Sequence, residues 1–147
     1  MRAVAYLKPL PIEDESSLVD IEVDRSPSGR DLLVEIRAVS VNPVAVKRRG
    51  RDDPQGKPKI LGYDAAGIVV ETAPDALLFR PGDAVFYAGA IGRQGTNAEF
   101  HLVDERIVGR KPNSLGFAEA AALPLTSLTA ASGSGSAAAS IATNERF

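Results

Sequence analysis

The chain has 147 residues, of which 44% are apolar, and this size and composition fit one domain with a substantial hydrophobic core. Its 17 basic and 19 acidic residues give a net charge of −2, which predicts small molecules or proteins as partners, and neither nucleic acid nor a membrane. The absence of Cys and the presence of a single His exclude disulfides and Cys- or His-rich metal sites, and they favour a cytoplasmic location.

Period-two alternation of apolar and polar residues predicts about seven short strands and little helix. Clusters of Gly, Pro, Asp and Ser separate these strands and mark turns. The pattern predicts a mainly β fold, a barrel or a sandwich, rather than a doubly wound parallel sheet. The predicted strands are Arg2–Leu7, Leu18–Val23, Leu32–Ser40, Gly67–Glu71, Asp83–Tyr87, Ala98–Val103 and Arg106–Arg110.

The C-terminal part of the sequence has a different character. Strong helix formers predict a helix over Phe117–Leu123, with Gly116 or Ser114 as its cap. Pro124 interrupts or restarts that helix, and a second helical piece follows over Leu125–Ala130. Because the next residues are rich in Ser and Gly, we expect a folded domain over residues 1–130 and a linker-like or disordered tail over residues 131–147.

Five motifs follow one another in a recognisable order, and together they cover residues 1 to about 130. The motifs are Asn42-Pro43, Gly62–Gly67, Pro81–Tyr87, Ala98–Phe100 and Ala120–Ala130. In their order and spacing the chain resembles the medium-chain dehydrogenase/reductases, specifically the zinc-free, quinone-oxidoreductase-like branch. The resemblance implies a GroES-like β-barrel with a short C-terminal helical segment. It also implies that NADPH or NADH is bound mainly by a Rossmann domain, for which this sequence has no matching segment.

The same resemblance implies the residues of a site. Asn42, Tyr63 and Thr126 would line the catalytic centre, and Asn42, Lys47 and Thr126 would contact the cofactor. Asn42 stands where zinc-binding relatives carry a Cys ligand, and Tyr63 where they carry a His. An amide can orient a carbonyl group by hydrogen bonding, and a phenol can donate a proton, whereas neither group is a preferred zinc ligand.

Each of these residues also has a structural interpretation. Asn42 can simply start a turn with Pro43, and Tyr63 can be an aromatic lid on the barrel. The Lys47 side chain can be solvated, and Thr126 can cap the start of a helix. For Asp64 we expect a structural role, either an Asx-turn through backbone N–H groups or an ion pair with a nearby Arg or Lys.

Three further features predict structure rather than a site. His101, the only His, is expected to be hydrogen-bonded within the fold or to face solvent. Gly89–Gly95 joins two predicted strands, so we expect a hairpin loop rather than a phosphate-binding turn. Gly133–Ala138 matches the letters of a dinucleotide fingerprint, but no strand precedes it.

These observations favour one function and leave another open. The first is the catalytic-domain part of an NAD(P)H-dependent oxidoreductase that reduces quinones or activated carbonyls when joined to a cofactor-binding domain. The alternative is a stand-alone β-barrel interaction module or an inactive truncated remnant. In the stand-alone module, an exposed barrel edge that another chain can cover predicts self-association as a homo-oligomer.

Overall fold

A computed structural model describes residues 1–133, and its architecture is mainly β, which confirms the predicted fold class. No Rossmann-type layer occurs in this part of the chain. Eight strands and three helices follow in the order β1 (Arg2–Tyr6), β2 (Val19–Glu22), β3 (Asp31–Ser40), α1 (Pro43–Arg51), β4 (Lys59–Ile60), β5 (Asp64–Thr72), β6 (Ala84–Ala88), β7 (Phe100–Asp104), β8 (Gly109–Arg110), α2 (Phe117–Ala121) and α3 (Pro124–Gly133).

The strands form two antiparallel sheets, one of five strands in the order β7-β3-β5-β6-β8 and one of three in the order β2-β1-β4. The segment before β7 joins the two sheets. On the β1 side, the amide of Val4 donates to the Asn97 carbonyl, and the carbonyl of Arg2 accepts from the Glu99 amide. On the β3 side, the amide of Ile36 donates to the Glu99 carbonyl. This seam connects the sheets into one barrel-like body.

The main core lies behind the five-stranded sheet. Leu32 and Val34 on β3 are fully buried with Val69 on β5, Val85 on β6 and Val103 on β7. Alternate residues of a strand point to the same face, so the period-two pattern of the sequence places these side chains together. Burying one such side chain contributes about 1.5–3 kcal/mol relative to leaving it exposed.

Helix α1 is the main element that the sequence analysis did not predict. Its residues lack apolar periodicity, and none of them is buried. The helix starts at Pro43, whose fixed φ suits the first helical position. Its last turn carries Arg48, Arg49 and Arg51, whose positive charges interact favourably with the negative end of the helix dipole. Terminal signals rather than a hydrophobic face therefore define this helix.

Two strand assignments after β6 also differ from the prediction. The loop over residues 89–95 is not a hairpin loop, because β6 pairs with β5 and β8 while β7 pairs with β3. The predicted strand Arg106–Arg110 is instead a 3₁₀ turn at Glu105–Ile107 followed by the two-residue strand β8. In both places the partner strand is distant in sequence, so local periodicity could not identify it.

The C-terminal helices agree with the prediction that Pro124 restarts the helix. Helix α2 follows Gly116, and α3 begins at Pro124. Helix α3 continues through Gly133, beyond the domain limit expected at residue 130. The rest of the expected tail, and the fingerprint-like sequence apart from Gly133, lie outside the described residues.

Gly67 marks a close approach between β3 and β5, and its substitution tests the packing there. A Cβ atom at this position would collide with the Glu35 carbonyl oxygen and lie 2.8 Å from Val34 Cγ1. We expect Gly67→Ala to lower the free energy of unfolding by about 1–3 kcal/mol in urea titrations. The control is Gly50→Ala in α1, where a Cβ would have no neighbour within 4 Å. Helix propensity should make the control neutral or stabilising by up to about 1 kcal/mol. Equal stabilities of the two variants would contradict this account of the sheet.

Candidate functional site

An open groove of about 470 Å³ lies between the N-terminal ends of α1 and α3. It brings together two residues predicted from the sequence, Asn42 and Thr126. Its lining consists of Asn42, Pro43, Val44, Leu125, Thr126, Thr129 and Ala130. The walls are mostly apolar, and three polar side chains are placed among them, which is the usual composition of a small-molecule site.

The Asn42 side chain turns inward from the residue before α1. Its backbone is extended, as expected before a proline, and its side chain makes no cap for the helix. Instead the Nδ2 atom donates to Asp64 Oδ2 at 2.9 Å and to the Ser40 carbonyl at 3.4 Å. The residue is only 7% exposed, so these contacts fix its position at the end of the groove.

Asp64 is the buried centre of this arrangement, and its role differs from the expected turn. It is the first residue of β5 and is completely buried. Oδ2 accepts from Asn42, while Oδ1 accepts the backbone N–H of Leu125 at 2.8 Å. The carboxylate therefore caps α3, which has N–H groups without intrahelical partners in its first turn. Within residues 1–133 it makes no Asx-turn and no ion pair with Arg or Lys.

Thr126 lies in the first turn of α3, but it does not cap that helix. Its hydroxyl group donates backwards to the carbonyl oxygens of Ala122 and Leu123, at 3.0 and 2.9 Å. The position expected for a helix-start cap is occupied by the distant Asp64 carboxylate. The oxygen of Thr126 remains exposed in the groove.

Tyr63 and Lys47, the two other predicted residues, do not line the groove. Tyr63 is 7% exposed, and its hydroxyl oxygen accepts from Arg48 Nη1 at 3.2 Å, while Arg48 also pairs with Asp52 at 2.6 Å. Lys47 is exposed on α1. Their predicted roles in catalysis and cofactor binding remain predictions.

Gly62 explains why the chain can turn so sharply before Tyr63. It has a φ of +97°, and a Cβ there would lie 2.5 Å from Thr96 Oγ1 and 2.6 Å from Asn97 Oδ1. A side chain is therefore excluded both by the backbone conformation and by space. The glycine brings the start of β5, including Asp64, close to the seam between the two sheets.

His101 is a structural residue, as expected. Its Nε2 lies 3.0 Å from the Gln94 carbonyl oxygen and its Nδ1 lies 3.0 Å from the Tyr87 hydroxyl. A carbonyl can only accept, so Nε2 carries the proton and Nδ1 accepts from Tyr87. Burial lowers the pKa of His101 to about 4 and raises that of Tyr87, so both groups are neutral at physiological pH.

The donor set of this chain does not fit a zinc site. The sequence has no Cys, and both ring nitrogens of its single His are already hydrogen-bonded. Among residues 1–133, no group of three or more His, Asp or Glu side chains is arranged to hold a metal ion. Asn42 and Tyr63 cannot replace thiolate and imidazole ligands.

A model of the alcohol dehydrogenase GroES-like domain matches residues 28–132. The chain belongs to this family. A zinc-type alcohol dehydrogenase-like protein from Staphylococcus aureus (strain COL) is 43% identical to this GroES-like domain over 132 residues, covering 88% of the chain and 39% of that protein. The predicted resemblance to the medium-chain dehydrogenase/reductases is thereby confirmed.

Solved structures agree with this assignment. A protein from Rhizobium etli CFN 42, assigned to the zinc-dependent alcohol dehydrogenases, is 65% identical with a TM-score of 0.83, over 88% of this chain and 38% of that one. The Escherichia coli quinone oxidoreductase, complexed with NADPH, is 25% identical with a TM-score of 0.71, over 88% of this chain and 39% of that one. This GroES-like domain thus spans about two fifths of the length of these relatives.

Several lining residues were not predicted as site residues from the sequence. Val44, Leu125 and Thr129 enter the groove because α1 and α3 begin beside each other. The sequence analysis used Pro124 to place the start of α3, and Pro43, at the first position of α1, is the equivalent signal that could have located that helix.

None of the helices in residues 1–133 has the length and apolar character needed to cross a bilayer.

The buried imidazole predicts a pH dependence of stability. The pKa of His101 falls from 6.5 to about 4 on folding, so between these values the unfolded chain binds more protons than the folded one. Stability should be fully present above pH 6.5 and lost progressively as the pH falls towards 4, by on the order of 3 kcal/mol.

Urea titrations across this pH range should show that loss in the natural chain and a flatter profile in His101→Gln. The comparison removes the contribution of the carboxylates, which both proteins share. NMR titration of the single His ring gives an independent reading. A ring that titrates near pH 6.5 in the folded chain would contradict the buried hydrogen-bonded arrangement.

Proposed function

We propose that this domain is the catalytic-barrel part of a zinc-independent, NAD(P)H-dependent oxidoreductase that reduces quinones or activated carbonyls in the cytoplasm. The observation that carries the proposal is the groove that joins Asn42 and Thr126. The two residues are 84 positions apart, and the resemblance had implied that both face the nicotinamide and the substrate. By the resemblance, the cofactor is bound mainly by a further domain, and this barrel contributes one wall of the site.

The similar proteins support the reaction class. The chain is 43% identical to an alcohol dehydrogenase-like protein and 25% identical to a quinone oxidoreductase with bound NADPH. When bound, the nicotinamide cofactor supplies a hydride. We propose that Asn42 and Thr126 position the nicotinamide end of the cofactor against the apolar wall formed by Val44 and Leu125.

Two residues outside the groove complete the proposed site. Lys47 is four residues after Pro43, which places it on the same face of α1 as this lining residue, and its positive charge suits the cofactor phosphates. The Tyr63 hydroxyl oxygen accepts a hydrogen bond from Arg48, so its own O–H can donate. We propose that Tyr63 supplies the proton that the substrate oxygen needs after hydride transfer to its carbon.

The proposal predicts quinone reductase activity when this barrel is joined to a cofactor-binding domain. We expect a fusion of this chain to the unmatched part of the Staphylococcus aureus relative to oxidise NADPH in the presence of a quinone. The reaction is measured by the loss of NADPH absorbance. Asn42→Ala in the fusion should lower kcat/KM by about tenfold or more, the effect of one lost positioning interaction.

Asn113→Ala, at an exposed position that does not line the groove, is the matched control and should leave the rate unchanged. The chain without the fused domain should bind NADPH weakly and should not reduce the quinone. A folded fusion that binds NADPH but reduces neither quinones nor enones would refute the proposed reaction class.

A separate observation favours self-association. Within the described chain β8 pairs only with Val85 and Phe86 of β6, so the ladder ends before the buried Tyr87 and leaves the half-buried Ala88 at the strand edge on that side. Beside this edge lies a groove of about 380 Å³ with exposed Leu123 and Leu128. We propose that a second copy of the chain covers this edge, because exposed edges and apolar surface favour pairing.

Light scattering of the purified chain should therefore show a dimer that dissociates on dilution. Replacing Leu128 by Glu introduces a charge into the apolar groove beside the edge and should shift the equilibrium to monomer. The matched control is Leu77→Glu, at an exposed position outside this groove. A monomer at every concentration would refute the proposed self-association without affecting the proposed reaction.

A further inference from the structure

The orientation of the Asn42 amide is fixed by two acceptors. The Asp64 carboxylate and the Ser40 carbonyl both face its Nδ2 atom, at 2.9 and 3.4 Å. A carbonyl oxygen cannot donate, so the Ser40 carbonyl requires the NH2 group of Asn42 on this side. Turning the amide over would place its Oδ1 against two other oxygens in a buried environment. Both amide hydrogens are thus directed into the protein, towards Asp64 and Ser40.

The Oδ1 atom is then the part of Asn42 that a ligand can meet. Within the described chain, the fully buried side-chain atoms that lack a hydrogen-bond partner are Arg30 Nε and Glu105 Oε1. Asn42 Oδ1 also has no hydrogen-bond partner there but does not belong to this enclosed set, so it is accessible. Since Asn42 lines the groove, Oδ1 offers a hydrogen-bond acceptor there.

The two other polar side chains of the groove, those of Thr126 and Thr129, also turn a hydrogen-bond acceptor towards it. Thr126 donates its hydroxyl hydrogen to the carbonyls of Ala122 and Leu123. Thr129 donates to the Leu125 carbonyl at 2.8 Å. Each hydroxyl oxygen therefore presents lone pairs rather than a hydrogen to a ligand. Every polar side chain that lines the groove is an acceptor on its open side.

We propose that this groove binds a neutral ligand group carrying an N–H or O–H donor, such as a primary carboxamide, and that Asp64 is the positioning residue that sets this preference. Pro43, Val44, Leu125 and Ala130 provide an apolar surface for a planar ring. An anion is disfavoured by the lone pairs and by the buried Asp64 carboxylate. The inference replaces the expectation that Asn42 donates to a substrate carbonyl.

The choice of ligand rests on the proposed function, because the nicotinamide ring carries such a carboxamide. The hydrogen-bond polarity itself rests only on the contacts of Asn42, Asp64, Thr126 and Thr129. It can therefore be measured on the full chain without any turnover. Failure of the quinone reductase activity and failure of the donor preference are then distinguishable outcomes.

The test compares two ligands that differ in one group. Nicotinamide carries a carboxamide, and 3-acetylpyridine replaces its NH2 by a methyl group, which removes the donor and keeps the carbonyl. Titrations of the isotope-labelled full chain, followed by NMR at the Asn42 side chain and the Thr126 amide, should show nicotinamide binding about threefold to tenfold more tightly, the effect of one net hydrogen bond. Equal affinities, the reverse order, or no shift of groove signals by either ligand would overturn the proposal.

Asp64→Asn tests the positioning role. The new amide can keep the bond to the Leu125 N–H through its oxygen, and its NH2 group then faces Asn42. Asn42 is free to turn over and present a donor, so the preference for nicotinamide should fall below about twofold or reverse. Asp75→Asn, at an exposed carboxylate, is the control and should keep the natural preference. A folded Asp64→Asn chain with an unchanged preference would refute the role of Asp64.

A measurement on the natural chain covers the case in which Asp64→Asn fails to fold. Both side-chain amide protons of Asn42 should exchange slowly with solvent, because both are hydrogen-bonded and the residue is buried. The side-chain protons of exposed Asn113 should exchange rapidly and serve as the internal reference. Equal exchange at the two residues would overturn the proposed orientation.

Discussion

The buried carboxylate of Asp64 makes one hydrogen bond to a side chain at the start of α1 and another to the backbone at the start of α3. It is completely enclosed, so these bonds are made away from water. Removing a partner from a buried polar group is costly, whereas a satisfied pair of hydrogen bonds holds its neighbours in one arrangement. The relative placement of the two helix starts, and hence the groove, depends on this group.

The position of Asp64 in turn depends on the barrel. β5 lies between β3 and β6, and Ser40 of β3 is the register partner of Asp64 itself. The carbonyl that orients Asn42 and the carboxylate that holds it therefore come from two paired strands. Gly62 permits the turn just before β5 through its positive φ. A rigid sheet thus sets the geometry of a site whose walls are helices, which is the arrangement that gives a binding site its precision.

The polar side chains around the groove are held in a definite arrangement. The Asn42 amide has its hydrogens taken up by oxygen atoms of the protein. The groove around it is apolar, and its polar atoms are acceptors. Such a surface discriminates between ligands by hydrogen-bond polarity, because an acceptor facing another acceptor leaves both groups without a partner.

The sequence by itself determined the mainly β fold, the restart of the helix at Pro124 and the structural role of His101. The signals were the alternation of apolar and polar residues, the geometry of proline, and the absence of Cys and of a second His, all of which are local or compositional. Through the resemblance to known motifs the sequence also singled out Asn42 and Thr126, which the structure places in one groove, while their roles in catalysis and cofactor binding stay predictions. It did not give α1, which has no apolar face, nor the path from β6 to β7, nor the cap that Asp64 provides to a helix 61 residues away. Only the tertiary structure decided which oxygen faces which hydrogen in the groove, because those contacts join residues that are distant along the chain and leave no periodic trace in it.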